Sequence, residues 1–473
     1  MNGLIFKNKK VLVFGLGILG GGVATANWLL RQGAQITITD LKRKEQLYES
    51  LKKIKGEYKL SLGGHKKTDI DANEIIVVNP DVPIKNKFVR YAYGRGKIVV
   101  NEASIFFEKF RKPLVAVTGT RGKTTIVNWI NHFLKTRLRS SPAGNSTDYQ
   151  FLKILNLKNR LDVAVIEISS FHLEYFRSIK TAPDIAVITN IYQDHLNRHN
   201  TIKNYILTKA NIFKKQSENQ NLVLNYDNEW TKVFLKLKPK AKTWFFSLKF
   251  LPLNLNGLYY KKNNAILNFN GKGLKVLNLS GFEKDYGKHN LQNVLVSSLV
   301  AYLFNIKWNS IQGAIRDLPS IEFRQQRILE NKKLVVINDT AATSPEGGIA
   351  ALERFGGPNT ILIAGGTNRN LDYKEWSKVV LKKIRPQNLI FLSGSSTNKM
   401  LHLLRYRIEK PMVYENLEDC VEKALKTVAT NHRSIILFSP AAKSFEKFKN
   451  EYDRGKKFNM IVKKFLKNIN QYE

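Results

Sequence analysis

A glycine-containing turn between a predicted strand and a predicted helix carries the residues best suited to chemistry. The apolar run from Leu114 to Val117 indicates a buried strand, and the run from Ile126 to Ile130 indicates a helix. Residues 118–125 between them read Thr-Gly-Thr-Arg-Gly-Lys-Thr-Thr. A helix N-terminus that follows such a turn presents backbone N–H groups to an anion, and a lysine there adds a full positive charge. The turn therefore predicts a nucleotide-phosphate site.

The turn departs from the generic phosphate-loop pattern at one position. The pattern G-x-x-x-x-G-K-[ST] requires a glycine where this chain has Val117. An ordinary strand-to-helix turn is the alternative, but such a turn seldom combines two glycines, a lysine and a threonine. Lys123 is placed to meet phosphates, and Thr124 is placed to ligate a Mg²⁺ that bridges two of them. The residues predicted to contact the nucleotide here are Gly119, Thr120, Gly122, Lys123, Thr124 and Thr125.

A second glycine pattern, Gly15-x-Gly17-x-x-Gly20, lies near the start of the chain and is followed about 20 residues later by Asp40. It is typical of a βαβ unit that binds a dinucleotide. The pattern alone leaves three alternatives open: NAD, a UDP-sugar, or no ligand and only close packing of the helix on the sheet. The predicted strand, helix and strand cover residues 11–14, 23–32 and 35–39.

The chemistry-bearing residues follow predicted strands. Glu167 ends the strand pattern of 161–167, and the Asn190–His195 loop follows the pattern of 183–190. Doubly wound sheets bind ligands at the carboxyl ends of their strands, so both positions are candidate site positions. The same α/β alternation continues to the C-terminus. Further strand patterns cover 74–78, 97–100, 244–279, 334–338, 360–364, 388–392 and 434–438, and a helical pattern covers 291–304.

Length and charge limit the class of protein. A chain of 473 residues is too long for one ordinary core, and two to four domains are expected. The net charge of +39 is compatible with nucleic acid, an anionic membrane surface or acidic substrates. Because the charge is spread along the chain, we interpret most of it as solvated surface lysine.

The single cysteine and the N-terminal run bear on the compartment. Cys420 stands alone, so neither a disulfide framework nor a thiolate metal site is expected, and a reducing cytoplasm fits. Basic residues at 7–10 precede a long uncharged run, as in a signal peptide. The glycines clustered within that run favour a soluble βαβ unit instead, so we expect no membrane span.

Eight stretches together resemble the Mur ligases, and within them the branch that joins glutamate to UDP-N-acetylmuramoyl-L-alanine. The phosphate-loop stretch resembles all Mur ligases and the folylpolyglutamate synthases. The Glu-x-Ser-Ser-Phe-x-Leu-Glu and Ser-Pro-Ala-x-x-Ser-Phe stretches look specific to the glutamate-adding branch. The stretches are 117–125, 167–174, 190–195, 205–210, 287–293, 338–343, 365–366 and 439–450.

The resemblance implies an α/β fold of three domains. Residues 1–111 would form a Rossmann-like domain that binds the UDP-sugar, so the first glycine pattern would hold uridine diphosphate and not nicotinamide. Residues 112–318 would form a P-loop ATPase-like domain with a mainly parallel sheet. Residues 319–473 would form a Rossmann-like domain that serves the amino acid and ATP.

The reaction that the resemblance implies proceeds through an acyl phosphate. ATP phosphorylates the carboxylate, and the amine of glutamate then displaces phosphate through a tetrahedral intermediate. Because every species is anionic, catalysis should consist mainly of positioning and charge neutralisation. Lys123 would neutralise the β- and γ-phosphates, and Thr124 with Glu167 would hold one Mg²⁺. His195 would ligate a second Mg²⁺, with His199 as the alternative ligand.

Further residues match family positions around each substrate. Nucleotide positions outside the phosphate loop are Asn290, Arg324 and Asp339, the latter two bringing the C-terminal domain onto ATP. Positions on the UDP-sugar side are Gly15, Asp40, Asn79 and Asn145. Positions near the incoming glutamate are Thr343, Arg369, Ser444 and Phe445.

Lys209 is expected to be carbamylated. Tyr205 and Lys209 are four residues apart and share one helix face, close enough in sequence to His195 to return to the metal site. A plain ammonium would be repelled by Mg²⁺, whereas a carbamate offers oxygens to a hard cation. The specific assignment comes from the resemblance, since Mur ligases carry a carbamylated lysine at the matching Tyr-x-x-x-Lys-Ala position. Without it, a solvated surface lysine is the default interpretation.

Four positions depart from the family pattern. The family usually has Asn or Lys at Arg121, His at Phe323, Lys at Ala341, and Lys at Arg369. The last change keeps the charge but alters reach and geometry. These changes leave the ATP and metal centre intact and leave open whether D- or L-glutamate is taken.

Two other functions remain as alternatives. One is a related ligase that uses L-glutamate or resembles a folylpolyglutamate synthase. The N-terminal glycine-rich unit disfavours the folylpolyglutamate synthase. A basic nucleic-acid-binding P-loop protein would need aromatic and basic residues interleaved in a groove, which the sequence lacks. We expect a monomer whose partners are UDP-N-acetylmuramoyl-L-alanine, glutamate and ATP, with no specific nucleic acid.

Overall fold

The structure is a computed structural model that describes residues 4–18, 20–144, 150–177, 179–368, 371–405, 408, 411–428 and 432–469. The described residues form three separate β-sheets with helices between the strands, so the three-domain α/β fold class is confirmed. The chain divides into two compact units. Unit 1 comprises Met1–Glu283 with Asn290–Pro319, and unit 2 comprises Lys284–His289 with Ser320–Glu473. The domain limits at residues 111 and 318 stay predictions.

The first sheet is parallel and has the strand order β3-β2-β1-β4-β5. The chain runs outward from β1 to β3 and then returns to place β4 on the other side of β1. This reversal opens a crevice at the carboxyl ends of β1 and β4, where such sheets bind ligands. The strands are β1 (Lys10–Phe14), β2 (Gln35–Asp40), β3 (Lys59–Leu62), β4 (Ile75–Val78) and β5 (Ile98–Val100). The helices are α1 (Gly21–Arg31), α2 (Lys44–Leu51), α3 (Lys67–Asp71), α4 (Lys87–Gly94) and α5 (Glu102–Lys109).

The second sheet has the order β14-β13-β12-β11-β10-β9-β6-β8-β7. It is parallel from β7 to β12, and β13 and β14 pair antiparallel at one edge. β6 lies between β8 and β9 and is buried throughout, and its first four residues are apolar. The strands are β6 (Leu114–Thr118), β7 (Ser140–Gly144), β8 (Val163–Glu167), β9 (Ile185–Ile188), β10 (Asn221–Asn225), β11 (Lys242–Ser247), β12 (Gly257–Lys261), β13 (Asn264–Phe269) and β14 (Lys272–Asn278).

Helices flank the second sheet, and α6 and α13 pack against each other on it. The α6 helix begins directly after the phosphate-loop turn, and its apolar positions face the core. The helices are α6 (Lys123–Leu134), α7 (Phe151–Leu155), α8 (Ser170–Leu173), α9 (Leu196–His199), α10 (Ile202–Lys209), α11 (Thr231–Lys236), α12 (Phe282–Tyr286), α13 (Asn290–Leu303) and α14 (Trp308–Ile315).

The third sheet lies in unit 2 and has the order β15-β16-β20-β17-β18-β19. All its pairs are parallel except β15 with β16. An apolar core covers each face. The strands are β15 (Gln326–Glu330), β16 (Leu334–Asn338), β17 (Thr360–Ala364), β18 (Leu389–Leu392), β19 (Met412–Tyr414) and β20 (Ser434–Phe438). The helices are α15 (Pro345–Phe355), α16 (Lys374–Lys383), α17 (Ser395–Leu404), α18 (Leu417–Lys426) and α19 (Glu451–Ile469).

Cys420 lies on α18 and is fully buried in the core of unit 2. Its Sγ lies 3.8 Å from the Phe391 carbonyl oxygen, and burial raises the pKa of the thiol to about 12. The helices of the described ranges include none that is both long and apolar enough to cross a membrane.

Candidate nucleotide and metal site

The phosphate-loop turn adopts a backbone that depends on glycine. Gly122 caps α6 with a left-handed φ of 81°, and Gly119 has a φ of 146°. The turn thereby connects the buried end of β6 to the first turn of a twelve-residue helix. A helix N-terminus of this kind suits the anion site that the sequence predicts, because its first N–H groups point away from the helix.

The segment after β9 holds the turn in place. The Thr120 amide donates to the Asn190 carbonyl at 2.9 Å, and the Arg121 amide donates to Asn190 Oδ1 at 2.8 Å. Thr189 Oγ1 donates to the Arg121 carbonyl at 2.7 Å. The turn is therefore fixed before any ligand binds, which lowers the entropic cost of binding phosphate.

The side chains of Lys123, Thr124 and Glu167 meet at the end of β6. Lys123 Nζ donates to the carbonyls of Gly119 and Thr120 at 3.1 and 3.2 Å. Thr124 Oγ1 donates to Glu167 Oε2 at 2.8 Å, because β8 pairs with β6 and places Glu167 beside Val117. A hydroxyl and a carboxylate oxygen are ligands that Mg²⁺ prefers, so this pair fits a Mg²⁺ site. The described residues contain no cluster of three or more His, Cys, Asp and Glu side chains arranged to hold a metal by themselves.

Of the two candidate histidine ligands, only His195 is accessible. Its side chain is 37% exposed, and its backbone is left-handed, with a φ of 53°. His199 is buried, its Nε2 lies 3.0 Å from Ser170 Oγ, and burial lowers the pKa of its imidazole to about 4. These surroundings support His195 as the ligand and give His199 a packing role.

Lys209 lies in the interior beside the phosphate loop. It ends α10, where Thr201 caps the N-terminus, and only 1% of the lysine is exposed. Lys209 Nζ donates to the Gly119 carbonyl at 3.0 Å and to Thr118 Oγ1 at 3.3 Å. Burial, and then the charge of Lys123, hold the pKa of Lys209 well below its ordinary value. The solvated-surface interpretation of Lys209 is therefore wrong.

Tyr205 joins Lys209 to the turn. Its ring centroid lies 4.6 Å from Lys209 Nζ, so the two side chains share one face of α10 as predicted. The Tyr205 hydroxyl lies 3.2 Å from Thr120 Oγ1, and that threonine oxygen also accepts from the Tyr192 amide at 3.0 Å. Tyr205 is a site residue that sequence reasoning missed, and its i,i+4 spacing to Lys209 is the signal that could have found it.

Asn290 stands at the start of α13, in the same compact unit as the turn. Asn293 Nδ2 donates to Asn290 Oδ1 at 2.6 Å. A Cβ placed on Gly122 would lie 2.7 Å from Asn293 Oδ1, so this end of α13 is adjacent to the phosphate loop. The structure therefore brings Asn290 toward the predicted nucleotide side.

The crevice of the first sheet brings together Gly15, Asp40 and Asn79. Asn79 Nδ2 donates to the Gly15 carbonyl at 3.2 Å, and Asp40 accepts from the Gly17 amide at 3.0 Å. His65 stacks on Phe14 in the same sheet, with ring centroids 3.9 Å apart, and sequence reasoning missed it. Another predicted residue of this side, Asn145, lies outside the described residues.

In unit 2, Asp339 is the predicted site residue with the most constrained environment. It is buried, accepting 2.7 Å from Ser439 Oγ and 3.0 Å from the Gln325 amide. Burial raises the pKa of the Asp339 carboxyl to about 7, against the opposing effect of these hydrogen bonds. Arg324 lies just before β15, and its side chain is exposed.

The predicted glutamate-side residues of unit 2 differ in exposure. Ser444 is buried and its Oγ has no hydrogen-bond partner among the described residues, whereas Phe445 is 51% exposed. Thr343 is partly buried, just before α15, and Arg369 lies outside the described residues. A buried hydroxyl without a partner is costly, so Ser444 fits a ligand contact.

Two of the departures from the family pattern contact each other. The Ala341 amide donates to the Phe323 carbonyl at 2.9 Å, and Phe323 is buried with a left-handed φ of 63°. The Phe323 ring also packs edge-on against Tyr452 at 6.1 Å. The two changes therefore alter one local structure and not two separate ones.

Replacing Gly119 with alanine is expected to disable the phosphate loop. The new Cβ would lie 1.9 Å from Thr189 Oγ1, on a backbone that side chains rarely adopt. We expect a loss of ATP affinity of at least about tenfold and a destabilisation of about 1–3 kcal/mol. Calorimetry and thermal unfolding measure these effects. Gly313→Ala on α14 is the control, because its Cβ would meet no atom within 4 Å; equal ATP affinities in the two variants would contradict the prediction.

Replacing Asp339 with asparagine is expected to change how stability depends on pH. The folded carboxyl keeps its proton up to a pKa of about 7, whereas an unfolded aspartate loses it near pH ~3.9. Between these values the folded state binds the extra proton, so the free energy of unfolding falls as pH rises, by up to about 4 kcal/mol. Asp339→Asn removes this slope. Urea unfolding of both proteins at pH 5 and pH 7.5 measures it, and parallel pH profiles would refute the raised pKa.

The fold and site define a three-domain α/β protein whose central sheet carries a phosphate loop next to a hydroxyl–carboxylate pair and a buried lysine. Residues 117–301 match the Mur ligase middle domain, and residues 9–101 match the Mur ligase MurD-like N-terminal domain. The chain belongs to the Mur ligase family, and within it to the group of UDP-N-acetylmuramoylalanine–D-glutamate ligases.

Two relatives illustrate the extent of the similarity. The UDP-N-acetylmuramoylalanine–D-glutamate ligase of Roseiflexus sp. (strain RS-1) is 31% identical over 467 residues, which cover 97% of this chain and 99% of that protein. The ligase of the same name from Caldanaerobacter subterraneus subsp. tengcongensis is 33% identical over 459 residues, covering 96% and 98%. The similarity therefore extends over all three domains.

Solved structures share the fold. The UDP-N-acetylmuramate-alanine ligase MurC from Thermotoga maritima superimposes with a TM-score of 0.60 at 17% identity, covering 98% of this chain and 100% of that one. The MurF ligase from Thermotoga maritima, solved with ADP, gives a TM-score of 0.58 at 17% identity, covering 98% and 96%. At this identity the likeness concerns the fold alone.

Proposed function

We propose that this protein is an ATP-dependent ligase that joins D-glutamate to UDP-N-acetylmuramoyl-L-alanine, in cytoplasmic synthesis of peptidoglycan precursors. One observation carries the proposal: the phosphate loop, the Thr124–Glu167 pair and the buried Lys209 converge at the end of β6. Family membership supplies the reaction, and relatives named as D-glutamate ligases supply the amino acid.

The proposed reaction forms an amide from a carboxylate and an amine. One carboxylate oxygen of the alanyl group attacks the γ-phosphorus of ATP, and ADP leaves. The amine of glutamate then attacks the acyl carbon of the acyl phosphate, and inorganic phosphate leaves with the amine losing a proton. Lys123 neutralises the transferring phosphoryl group, and the amides of the turn hold the β-phosphate.

Two Mg²⁺ sites are part of the proposal. Thr124 and Glu167 would hold one ion, and His195 with a carbamylated Lys209 would hold the other, where bound Mg²⁺ neutralises charge on the transferring phosphoryl group. The pairing of Thr124 Oγ1 with Glu167 Oε2 at 2.8 Å supports the first. The exposed imidazole of His195 supports the second.

The environment of Lys209 supports its carbamylation. Carbamate formation requires a neutral amine, and burial lowers the pKa of Lys209, which increases the neutral fraction of this amine. The nitrogen attacks CO₂ and loses a proton, so one positive charge becomes one negative charge. Such a carbamate would present oxygens close to Thr118 and Gly119, to which the amine now donates.

The remaining assignments rest on position in the family pattern. Gly15, Asp40 and Asn79 are proposed for the UDP-sugar, supported by their convergence at the crevice of the first sheet. Asn290, Arg324 and Asp339 are proposed for the nucleotide. Thr343, Ser444 and Phe445 are proposed for the amino acid, supported by the unpartnered Ser444 hydroxyl.

An ADP-release assay tests the function. The purified protein is given ATP, Mg²⁺ and UDP-N-acetylmuramoyl-L-alanine, with each amino acid added in turn. We expect ADP release that depends on both substrates and is fastest with D-glutamate. Faster release with L-glutamate would reassign the amino acid. Absence of ADP release, together with salt-sensitive binding to nucleic acid in a gel shift, would replace the proposal with a nucleic-acid-binding function.

A further inference from the structure

The segment of residues 80–84, which we call the 80–84 segment, follows β4 at the crevice of the first sheet. It directly follows Asn79, which bonds to the glycine turn after β1. Three of its carbonyls accept from one arginine that follows the second sheet's β9 strand, and the Val82 carbonyl also accepts from the Tyr175 hydroxyl at 2.8 Å. Arg198 donates to the carbonyls of Asp81, Pro80 and Val82 at 2.6, 2.9 and 3.0 Å.

Glu174 completes this arrangement from the other side. Arg198 Nε and Nη2 donate to its two carboxylate oxygens at 3.0 and 2.8 Å, and both side chains are more than 90% buried. The same carboxylate accepts from the Ile84 amide at 3.1 Å. Arg198 and Glu174 thus form hydrogen bonds with both ends of the 80–84 segment. A buried ion pair of this kind keeps its geometry, because separating the two side chains would leave an uncompensated charge in the interior.

Arg198 is also connected to the predicted metal ligand, His195, through an aromatic ring. The Arg198 guanidinium lies 4.3 Å from the centre of the Phe171 ring, and that ring packs edge-on against His195 at 5.0 Å. Arg198 stands three residues after His195 and lies on α9, which His195 caps. One side chain therefore connects the crevice of the first sheet with the catalytic side of the second.

We infer that Arg198 is a positioning residue for the UDP-linked substrate. It sets the place of the 80–84 segment relative to His195, so that a substrate held at the crevice presents its carboxylate to the metal side. One planar guanidinium contacts five acceptors, with the two hydrogens of Nη2 shared among three of them, and so fixes the distance between the 80–84 segment and α9. A lysine of equal charge cannot make these contacts. The inference rests on the proposed function and extends it to a residue that contacts neither nucleotide nor metal in the proposed site.

Arg198→Lys tests the inference through a split between substrates. We expect the KM for UDP-N-acetylmuramoyl-L-alanine to rise at least about tenfold, with the KM for ATP changing less than about twofold. Calorimetry with the UDP substrate alone should show the same loss of affinity. Hydrogen exchange at the Ile84 amide should quicken, because its acceptor loses its partner. A purely structural role would lower thermal stability and the active fraction while leaving both KM values unchanged.

Controls keep the outcome decisive. Arg139→Lys is the matched control, since Arg139 makes a bidentate pair with Asp162 at the protein surface. If Arg198→Lys does not fold, Glu174→Gln retains an acceptor for Ile84 and should show the same split more weakly. Unchanged affinity for the UDP substrate in the folded variant would overturn the inference. If the wild type binds the UDP substrate but releases no ADP, the proposed function fails, while calorimetry still decides the role of Arg198.

Discussion

Lys123→Ala is expected to lower kcat by about 10³-fold or more while the protein remains folded. The lysine places a full positive charge at the start of α6, where the phosphates are expected to bind, and removing a group that stabilises transition-state charge costs this much or more. Lys123 is partly exposed and its Nζ donates to the Gly119 and Thr120 carbonyls, so we expect the fold to tolerate its removal. Steady-state ADP release and circular dichroism measure the two parts of the prediction.

The control for this variant lies at the other end of the same helix. Lys135 caps the C-terminus of α6 and is exposed. Lys135→Ala should keep wild-type turnover, because its charge is a full helix length from the phosphate loop. Wild-type-like turnover in Lys123→Ala would remove the phosphate loop from the mechanism. A loss of folding in that variant would instead assign Lys123 to stability.

Lys209→Ala is expected to lose turnover to a similar extent and to regain part of it with acetate. The substitution removes the carbamate, and a short carboxylate can enter the space left by the side chain and offer the same oxygens to a cation. Rescue should saturate with acetate concentration and should not occur with a neutral analogue such as acetamide. ¹³C NMR of the wild type under ¹³CO₂ should show one carbamate signal that Lys209→Ala lacks.

Two further variants separate the carbamate from simple charge. Lys209→Arg keeps a cation but cannot react with CO₂ at neutral pH, so it should be as inactive as Lys209→Ala. Lys203→Ala, on the exposed side of the same helix, should be fully active. An active Lys209→Arg enzyme, or a wild type without the carbamate signal, would rule the carbamate out.

Local pattern was sufficient to predict most strands. The strands at 334–338, 360–364 and 434–438 were predicted at the bounds that the structure gives, since each is a continuous apolar run. The strand that ends at Glu167 was predicted two residues too long at its start, because Leu161 is apolar but lies outside the ladder. Apolar runs identify strands and leave their ends uncertain.

The order of the strands and the contacts between them could not be predicted from pattern. Nothing local to β8 says that Glu167 will stand beside Val117, although its position at a strand end made it a candidate. The burial of Lys209 was even harder to predict, because the sequence shows the charge of a residue but not its distance from solvent. The family resemblance, and not spacing, identified that lysine.

Arg198 shows the same limit most plainly. The sequence presents it as one of 77 lysines and arginines, beside a histidine of more obvious interest. Its partners lie 24 residues and more than 110 residues away along the chain. A side chain whose role depends on three carbonyls of a distant loop leaves no signature in composition or periodicity.

The single cysteine offers a way to observe one compact unit of the molecule by itself. Folded, the Cys420 thiol is enclosed and holds its proton, so reagents that attack thiolates should leave it untouched. The rate at which Cys420 is modified therefore reports how often α18 separates from the sheet beneath it. Measured as a function of pH or of nucleotide concentration, this rate reports the opening of unit 2. No probe has to be introduced, and unit 1 contributes no signal.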